Sequence, residues 1–407
     1  MYTSTRKAST ARGTPPQAFD PALLGEDIAR RLHLSPEQLA DDANLLKLGM
    51  DSMHLMAWLN RFRRLGFKVT LSDLYDQPTL HGWQQLLGSA SVQVNSAEVA
   101  GNDEPIALMS DGQPFALTSV QHAYLVGRSS EQPLGGVGCH LYQEFDGHGL
   151  TPQVLEAAIY RLIERHPMLK TRFLADGRQQ WQAHSAWPGL KVHDLRDSND
   201  TLRQQRLSDL REQLGHRRLD VENGETFDFQ LCLLPGDQNR LLVNIDLLVA
   251  DAASFNQLFE ELIALIEDRP LPPSPVDYDF CSYLTQVRRN DQARVEKAKA
   301  WWLGRLDDLP LAPILPLAQD PERIAQVRIS RRRGQLDAAQ WQAFKDHAGT
   351  AGVTPTMALA TLFSAVLGRW SGQQSLLLNL TLFDRQPLNP AVASMIADFT
   401  NILALPV

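Results

Sequence analysis

The stretch Leu241–Phe255 (LLVNIDLLVADAASF) decides how the chain folds. Its first ten residues are apolar at almost every position, so they read as a strand inside a sheet covered on both faces. The run Phe227–Leu234 before it, with the turn-forming PGDQNR between, makes the pair a hairpin. Asp246 lies within the second strand, Asp251 follows its end, and Ser254 stands three residues further on. A carboxylate at the end of a buried strand commonly holds a loop through an ion pair, and this pattern alone makes neither aspartate a general base.

Outward from that hairpin, long helices alternate with apolar strands. Leu155, Ile159, Leu162 and Ile163 mark a helix ending at His166-Pro167, and Thr354-Pro355 opens another that runs to about Trp370, with proline at its first position. Ser375–Phe383 (SLLLNLTLF) reads as a further buried strand. From Pro114 onward the fold class is therefore α/β. Before that point the texture differs. Between Pro21 and Leu87, Leu24, Ile28 and Leu32, then Leu55, Leu59 and Phe62, fall on apolar helix faces, which makes a small all-α bundle. Residues 88–113, rich in Ser, Ala, Gly, Asn and Asp, suit a flexible tether, and the polar, basic residues 1–20 a disordered tail.

A chain of 407 residues, 43% hydrophobic and 21% charged, suits two or three packed units. Its net charge of −8 and isoelectric point near 5.8 give no reason to expect nucleic acid or an anionic membrane as partner. Cys139, Cys232 and Cys281 are odd in number and widely spaced, which argues against a disulfide framework or a zinc site and fits a reducing cytoplasm. No export signal, long apolar span, G-x-S-x-G elbow or H-E-x-x-H motif is present. The glycines of Gly135–His140 precede a strand rather than opening a helix, so that segment reads as a loop and not a nucleotide site.

Leu48–Met56 (LGMDSMHLM) sets a glycine-containing turn before a helix, with Ser52 at or near its N-cap. In isolation such a serine is a capping residue. A phosphodiester on its hydroxyl would project from the positive end of the helix dipole, a favourable place for an anion.

Gly49-Met50-Asp51-Ser52 resembles the G-x-D-S core of acyl and peptidyl carrier proteins, over about Pro21–Leu87. The resemblance implies a four-helix carrier bundle in which Ser52 bears 4′-phosphopantetheine, attached by a phosphopantetheinyl transferase. Leu117–Arg128 (LTSVQHAYLVGR) is similar to the opening motif of heterocyclisation domains in nonribosomal peptide synthetases. Arg165–Leu169 (RHPML), Asn379–Pro387 (NLTLFDRQP) and Asp398-Phe399-Thr400 fit the same family, in the same order. Amide-forming condensation domains carry H-H-x-x-x-D-G where this chain has D-x-x-x-x-D-x-x-S at Asp246, Asp251 and Ser254, the signature of the cyclising branch.

That resemblance implies a chloramphenicol-acetyltransferase-like fold of two lobes, the first over 114–270 and the second from 278 to 407 and unfinished. Arg385 is the implied ion-pair partner of Asp251. The threonine and aspartate most often implicated in cyclodehydration come later than Val407. The wording of Gly135–Phe145 and Thr354–Phe363 is most similar to the carrier-first subunits of thiazoline siderophore synthetases, that of yersiniabactin first and pyochelin second. The implied function is to carry an aryl acid, salicylate by expectation, as a thioester at Ser52, loaded by a stand-alone adenylating ligase. Condensation with cysteine on a downstream carrier and cyclodehydration would follow. The alternative is a segment acting only as a carrier and interaction module.

Overall fold

In the computed structural model, the structure describes residues 21–32, 34–35, 39–46, 48, 50, 55, 58, 62, 67, 69, 71–89, 112–274, 277–290 and 292–407. The expected tail over 1–20, most of the tether over 88–113, and Ser52 itself lie outside them. The chain packs as two compact units, Met1–Glu98 with Gln335–Leu362 and Val99–Gly334 with Phe363–Val407. Among the described residues no single helix is long and apolar enough to cross a membrane.

In the first unit, α1 (Pro21–Arg31), α2 (Leu71–Asp76) and α3 (Leu80–Ser89) surround a core that includes Leu24, Ile28, Leu45, Leu55 and Leu74. At its centre Trp58, Phe62 and Trp83 meet with ring centroids 5.6–6.4 Å apart, the spacing of tilted and edge-on aromatic contacts. Two backbone bonds tie this unit together: Leu45 N–H donates to Pro78 O at 2.7 Å and His81 N–H to Asp41 O at 2.8 Å. They hold the 41–46 loop against the turn between α2 and α3.

The second unit opens on β1 (Phe115–Ala116) and α4 (Ser119–Gly127), whose N-terminus is a capping box. Thr118 Oγ1 accepts from Gln121 N–H, and Gln121 Oε1 accepts from Thr118 N–H. The elements that follow are β2 (His140–His148), α5 (Pro152–Arg165), β3 (Thr171–Phe173), β4 (Arg178–Trp181), β5 (Lys191–Asp194) and α6 (Asp200–Gly215). After them come β6 (Phe227–Leu233), β7 (Gln238–Asp246), α7 (Ala252–Ile266), α8 (Phe280–Asn290) and α9 (Gln292–Leu303). The expected hairpin is β6–β7, and it forms the middle of a four-stranded sheet of order β2-β7-β6-β5. β5 joins β6 in parallel, which requires the crossover that α6 supplies. A second sheet has the order β1-β4-β3.

The pleat sorts side chains between two cores. Phe227, Phe229 and Leu231 on β6 and Leu241, Val243 and Ile245 on β7 face the main core, shared with α5 and α7. Cys232, Leu242 and Tyr142 face a second core with Leu207, Leu210 and Leu214 of α6. β7 is thus covered on both faces. Asp246 shares the α6 face with Leu242 and Asn244, and Asn244 Nδ2 donates to Leu214 O at 3.0 Å.

The chain continues through α10 (Ala338–Thr350), α11 (Pro355–Ser371), β8 (Leu377–Phe383) and β9 (Thr400–Pro406). Thr354 Oγ1 accepts from Met357 N–H at 3.2 Å, so the expected helix start is where the Thr-Pro pair placed it. β8 departs from expectation. It pairs only with β9, and its residues are half-buried or exposed, Leu382 at 44%. An apolar run expresses strand preference; burial needs a covering layer, which β7 has and β8 lacks among the described residues.

Candidate functional site

Seven backbone carbonyls and amides and four side chains meet where β7 passes into α7. The turn Leu248-Val249-Ala250 is fully buried, and Asp251 then caps α7, its Oδ1 accepting Ser254 N–H at 2.7 Å. Arg385, arriving from the loop after β8, donates from Nη2 to Asp251 Oδ1 at 3.4 Å and to Ser254 Oγ at 3.1 Å. Its Nη1 donates to the carbonyls of Val392 (2.9 Å) and Met395 (2.7 Å), and the guanidinium lies 4.0 Å over the Phe399 ring.

The segment 397–399 is stitched to the same helix end. Ala397 O accepts from Asp251 N–H (3.1 Å) and from the Ser254 hydroxyl (2.8 Å). Ala397 N–H donates back to Ser254 Oγ at 3.2 Å, and Phe399 N–H to Asp251 Oδ2 at 3.4 Å. The Ser254 hydroxyl therefore uses its one donor and both acceptor positions on protein groups. It has no lone pair left for attack, and Asp251, 1% exposed, has both oxygens occupied. This is a clamp between two parts of the unit.

Asp246 sits apart from that clamp, on the α6 face. Arg128, the last residue of the L-T-x-x-Q-x-A-Y-x-x-G-R run, donates from Nη1 to Asp246 Oδ2 at 2.6 Å, and Leu248 N–H donates to Oδ1 at 3.1 Å. The Arg128 Nη2 donates to Leu219 O. Both partners are buried, and burial pushes the Asp246 carboxyl up while the guanidinium opposes it. Gly138 makes room for the pair: a Cβ there would stand 2.8 Å from Arg128 Nη1. Next to it, burial and then the Asp246 charge push the Cys139 thiol up, away from the reactive thiolate. His140 is lowered by burial, which favours neutral imidazole.

The structure thus divides the sequence motif. Asp251, Ser254 and Arg385 converge, whereas Asp246 pairs with Arg128, a partner that sequence reading quoted within a motif and did not assign. The signal was there in the form of an arginine at a helix C-terminus, but nothing in spacing says which carboxylate 118 residues away it meets. A second residue escaped the same way. Asp398 is 0% exposed and its Oδ2 has no hydrogen-bond partner among the described residues. Tyr124 on α4 faces this group: burial first, then Asp398, pushes its phenol up to about 12.

Ser52, the expected attachment point, lies outside the described residues; those nearest it on either side, Met50 and Leu55, belong to the core of the first unit. A serine hydroxyl is the donor a phosphodiester link requires. Among the described residues no group of three or more His, Cys, Asp or Glu side chains could hold a metal ion.

Comparisons with known proteins bear on both units. The phosphopantetheine attachment site family matches residues 22–87, and the condensation domain family matches 116–407. Phenyloxazoline synthase MbtB of Mycobacterium tuberculosis is 37% identical over 390 residues, covering 95% of this chain and 27% of its own length. Pyochelin synthetase PchE of Pseudomonas aeruginosa is 38% identical over 387 residues, covering 94% and 26%. This chain therefore spans about a quarter of the length of these relatives. The EpoB cyclization-docking bidomain from Sorangium cellulosum superposes with a TM-score of 0.65 at 29% identity, over 72% of this chain and 59% of that one. These matches establish the chloramphenicol-acetyltransferase-like fold for the second unit and 4′-phosphopantetheine as the prosthetic group of the first. The chain belongs to the condensation-domain family of nonribosomal peptide synthetases and carries a phosphopantetheine attachment domain ahead of that domain.

Proposed function

We propose that this chain is a carrier and cyclisation segment of a siderophore synthetase, in which an aryl thioester at Ser52 is joined to a carrier-bound amino acid and closed, with loss of water, into a five-membered ring. The observation that carries this reading is order: carrier then condensation domain, shared over 95% of the chain with a phenyloxazoline synthase and 94% with a pyochelin synthetase. We read residues 21–87 as a four-helix carrier, 88–113 as its tether, and 114–270 and 278–407 as the two lobes.

The prosthetic arm supplies the thioester that activates the aryl acyl group. What the chain's residues contribute is placement. A tether of roughly 26 residues confines the Ser52 arm near the condensation domain, so a bimolecular acyl transfer proceeds at an effective concentration in the millimolar range or above. Asp251, Ser254 and Arg385 fasten the 397–399 segment to α7, and Arg128 with Asp246 anchors the end of β7. In this reading the D-x-x-x-x-D-x-x-S motif holds the site's walls in register and neither aspartate abstracts a proton. The replacement of the histidine pair is consistent with that role.

The aryl donor is taken to be salicylate, supplied by a stand-alone adenylating ligase, and the ring partner cysteine on a downstream carrier. A phenyloxazoline synthase among relatives of equal identity makes serine and threonine the competing ring partners. Coenzyme A and a broad-specificity phosphopantetheinyl transferase should add one arm to the wild type and none to Ser52→Ala, read by intact mass; equal addition to both overturns the carrier assignment. The full synthetase, charged with salicylate and offered cysteinyl, seryl or threonyl carrier, should then form a thiazoline with the first only. Loading without any acyl transfer or ring would instead support a carrier and interaction module.

A further inference from the structure

Among the described residues, Asp398 is a buried acid with no cation of its own. Its two neighbours are locked, Ala397 through Asp251 N–H and Ser254, Phe399 through Asp251 Oδ2. Thr400 N–H donates to Oδ1 at 3.0 Å, and Oδ2 has no partner among the described residues. Arg385, the cation of this region, is already committed to Asp251, Ser254 and two carbonyls. The groups that face Asp398 are Asp251 at the start of α7, Tyr124 on α4 and Thr400 on β9. None offers a positive charge. Burial foremost, with the Asp251 charge adding to it, pushes the Asp398 carboxyl up to about 7.

Arg385 answers the charge of Asp251, and nothing among the described residues answers that of Asp398 once both acids are ionised. With Asp398 neutral, Asp251 keeps Arg385 and the clamp closes. With Asp398 charged, a second anion stands beside Asp251 in a site closed to water, and the two carboxylates repel with no further cation to offset them.

We propose that Asp398 is a positioning residue that works as a neutral acid: by holding its own proton it spares Asp251 a second buried negative charge and keeps the 397–399 segment closed on α7. The consequence for catalysis rests on the cyclisation reading, since the clamp then sets the wall against which the ring closes. The clamp itself does not depend on that reading.

The test follows amide hydrogen exchange of the segment around Ala397–Phe399 in the 407-residue chain, from about pH 5 to about pH 9. After correction for the base-catalysed chemical rate, opening linked to loss of one proton should quicken exchange by about tenfold per pH unit from about pH 5 to about pH 7 and level off above that. Asp398→Asn, neutral at every pH and still able to accept from Thr400 N–H, should abolish that excess; Asp398→Leu, neutral and apolar, is the second variant should the first fold poorly. Infrared difference spectra, wild type minus Asp398→Asn, should carry a protonated-carboxyl stretch at about pH 6 that is gone at about pH 9. No excess exchange in the wild type, an unchanged excess in a folded neutral variant, or no protonated-carboxyl band each overturns the proposal. In the full synthetase the same variant should flatten the fall in ring formation at high pH. A wild type that forms no ring at any pH would sink the cyclisation reading and leave the exchange and infrared results standing.

Discussion

Asp246 and Asp398 are equally closed to water, both 0% exposed, and each stands at one end of a strand, yet among the described residues only one has a counter-ion. Asp246 terminates β7 against the Arg128 guanidinium at 2.6 Å and accepts a further backbone bond. Asp398 precedes β9 with one backbone donor and an unpaired oxygen. The first is a charge the fold has neutralised with another charge. The second is neutralised by a proton. What separates a structural ion pair from a titratable group is therefore the inventory of cations around it, since burial is the same for both.

Removing the counter-ion from Asp246 is the harshest way to break that contrast. Arg128→Met leaves the carboxyl buried and uncompensated, at a cost of about 3–5 kcal/mol in unfolding free energy by denaturant titration. Adding Asp246→Leu to it should recover most of the loss, because an apolar pair of similar volume needs no compensation. A loss under about 1 kcal/mol in the single variant would show that Arg128 is not what neutralises Asp246.

The pH dependence of stability reads Asp398 directly. Its folded value, about 7, lies above the ordinary carboxyl value of 3.8, so the folded state holds the proton more tightly. The stabilisation is fully present below about pH 4 and is lost as pH rises through about 7, on the order of 4 kcal/mol in all. Asp398→Asn should remove that slope between about pH 5 and about pH 8 while leaving the rest of the profile in place. A wild type that is flat over this window would mean that Asp398 finds a cation when ionised.

The same contrast explains how much could be read from the chain. The pairing of β6 with β7, the helix ending at His166-Pro167, the helix opening at Pro355, and the convergence of Asp251 with Arg385 all follow from local pattern or from family resemblance, although β7 stops at Asp246 where the apolar run to Ala250 suggested a longer strand. Local pattern works there because apolar periodicity and capping residues act within a few positions. The Arg128–Asp246 pair joins residues 118 apart and depends on which face of β7 the pleat assigns to Asp246, which only the assembled sheet decides. Asp398 was legible as part of a motif, but its missing counter-ion is a property of everything packed around it. The exposed β8 failed for a related reason: SLLLNLTLF states a preference for strand, and cover is supplied by other parts of a fold.

Within the clamp, Ser254 offers a milder cut than Arg128. Ser254→Ala removes three hydrogen bonds at once, two to Ala397 and one from Arg385, and leaves Ala397 O with its bond from Asp251 N–H. The expected cost is about 2 kcal/mol, with faster exchange at Ala397 and little change around β7. Equal quickening at both places would show that the two aspartate sites act as one unit.

Gly138→Ala sharpens the comparison at least cost. The added Cβ would stand 2.8 Å from Arg128 Nη1, an atom at the far end of a long side chain that nevertheless has two fixed partners, Asp246 and the Leu219 carbonyl. If the guanidinium yields by a few tenths of an ångström, the ion pair lengthens and the penalty stays near 1 kcal/mol. The readout that matters is Cys139, whose thiol is pushed up by burial and the Asp246 carboxylate and drawn down by Arg128. Displacing the guanidinium should raise that thiol further and slow its alkylation at a given pH by a few-fold. Faster alkylation would mean that the loop has opened instead, and that Gly138 serves the path of the backbone rather than the placement of Arg128.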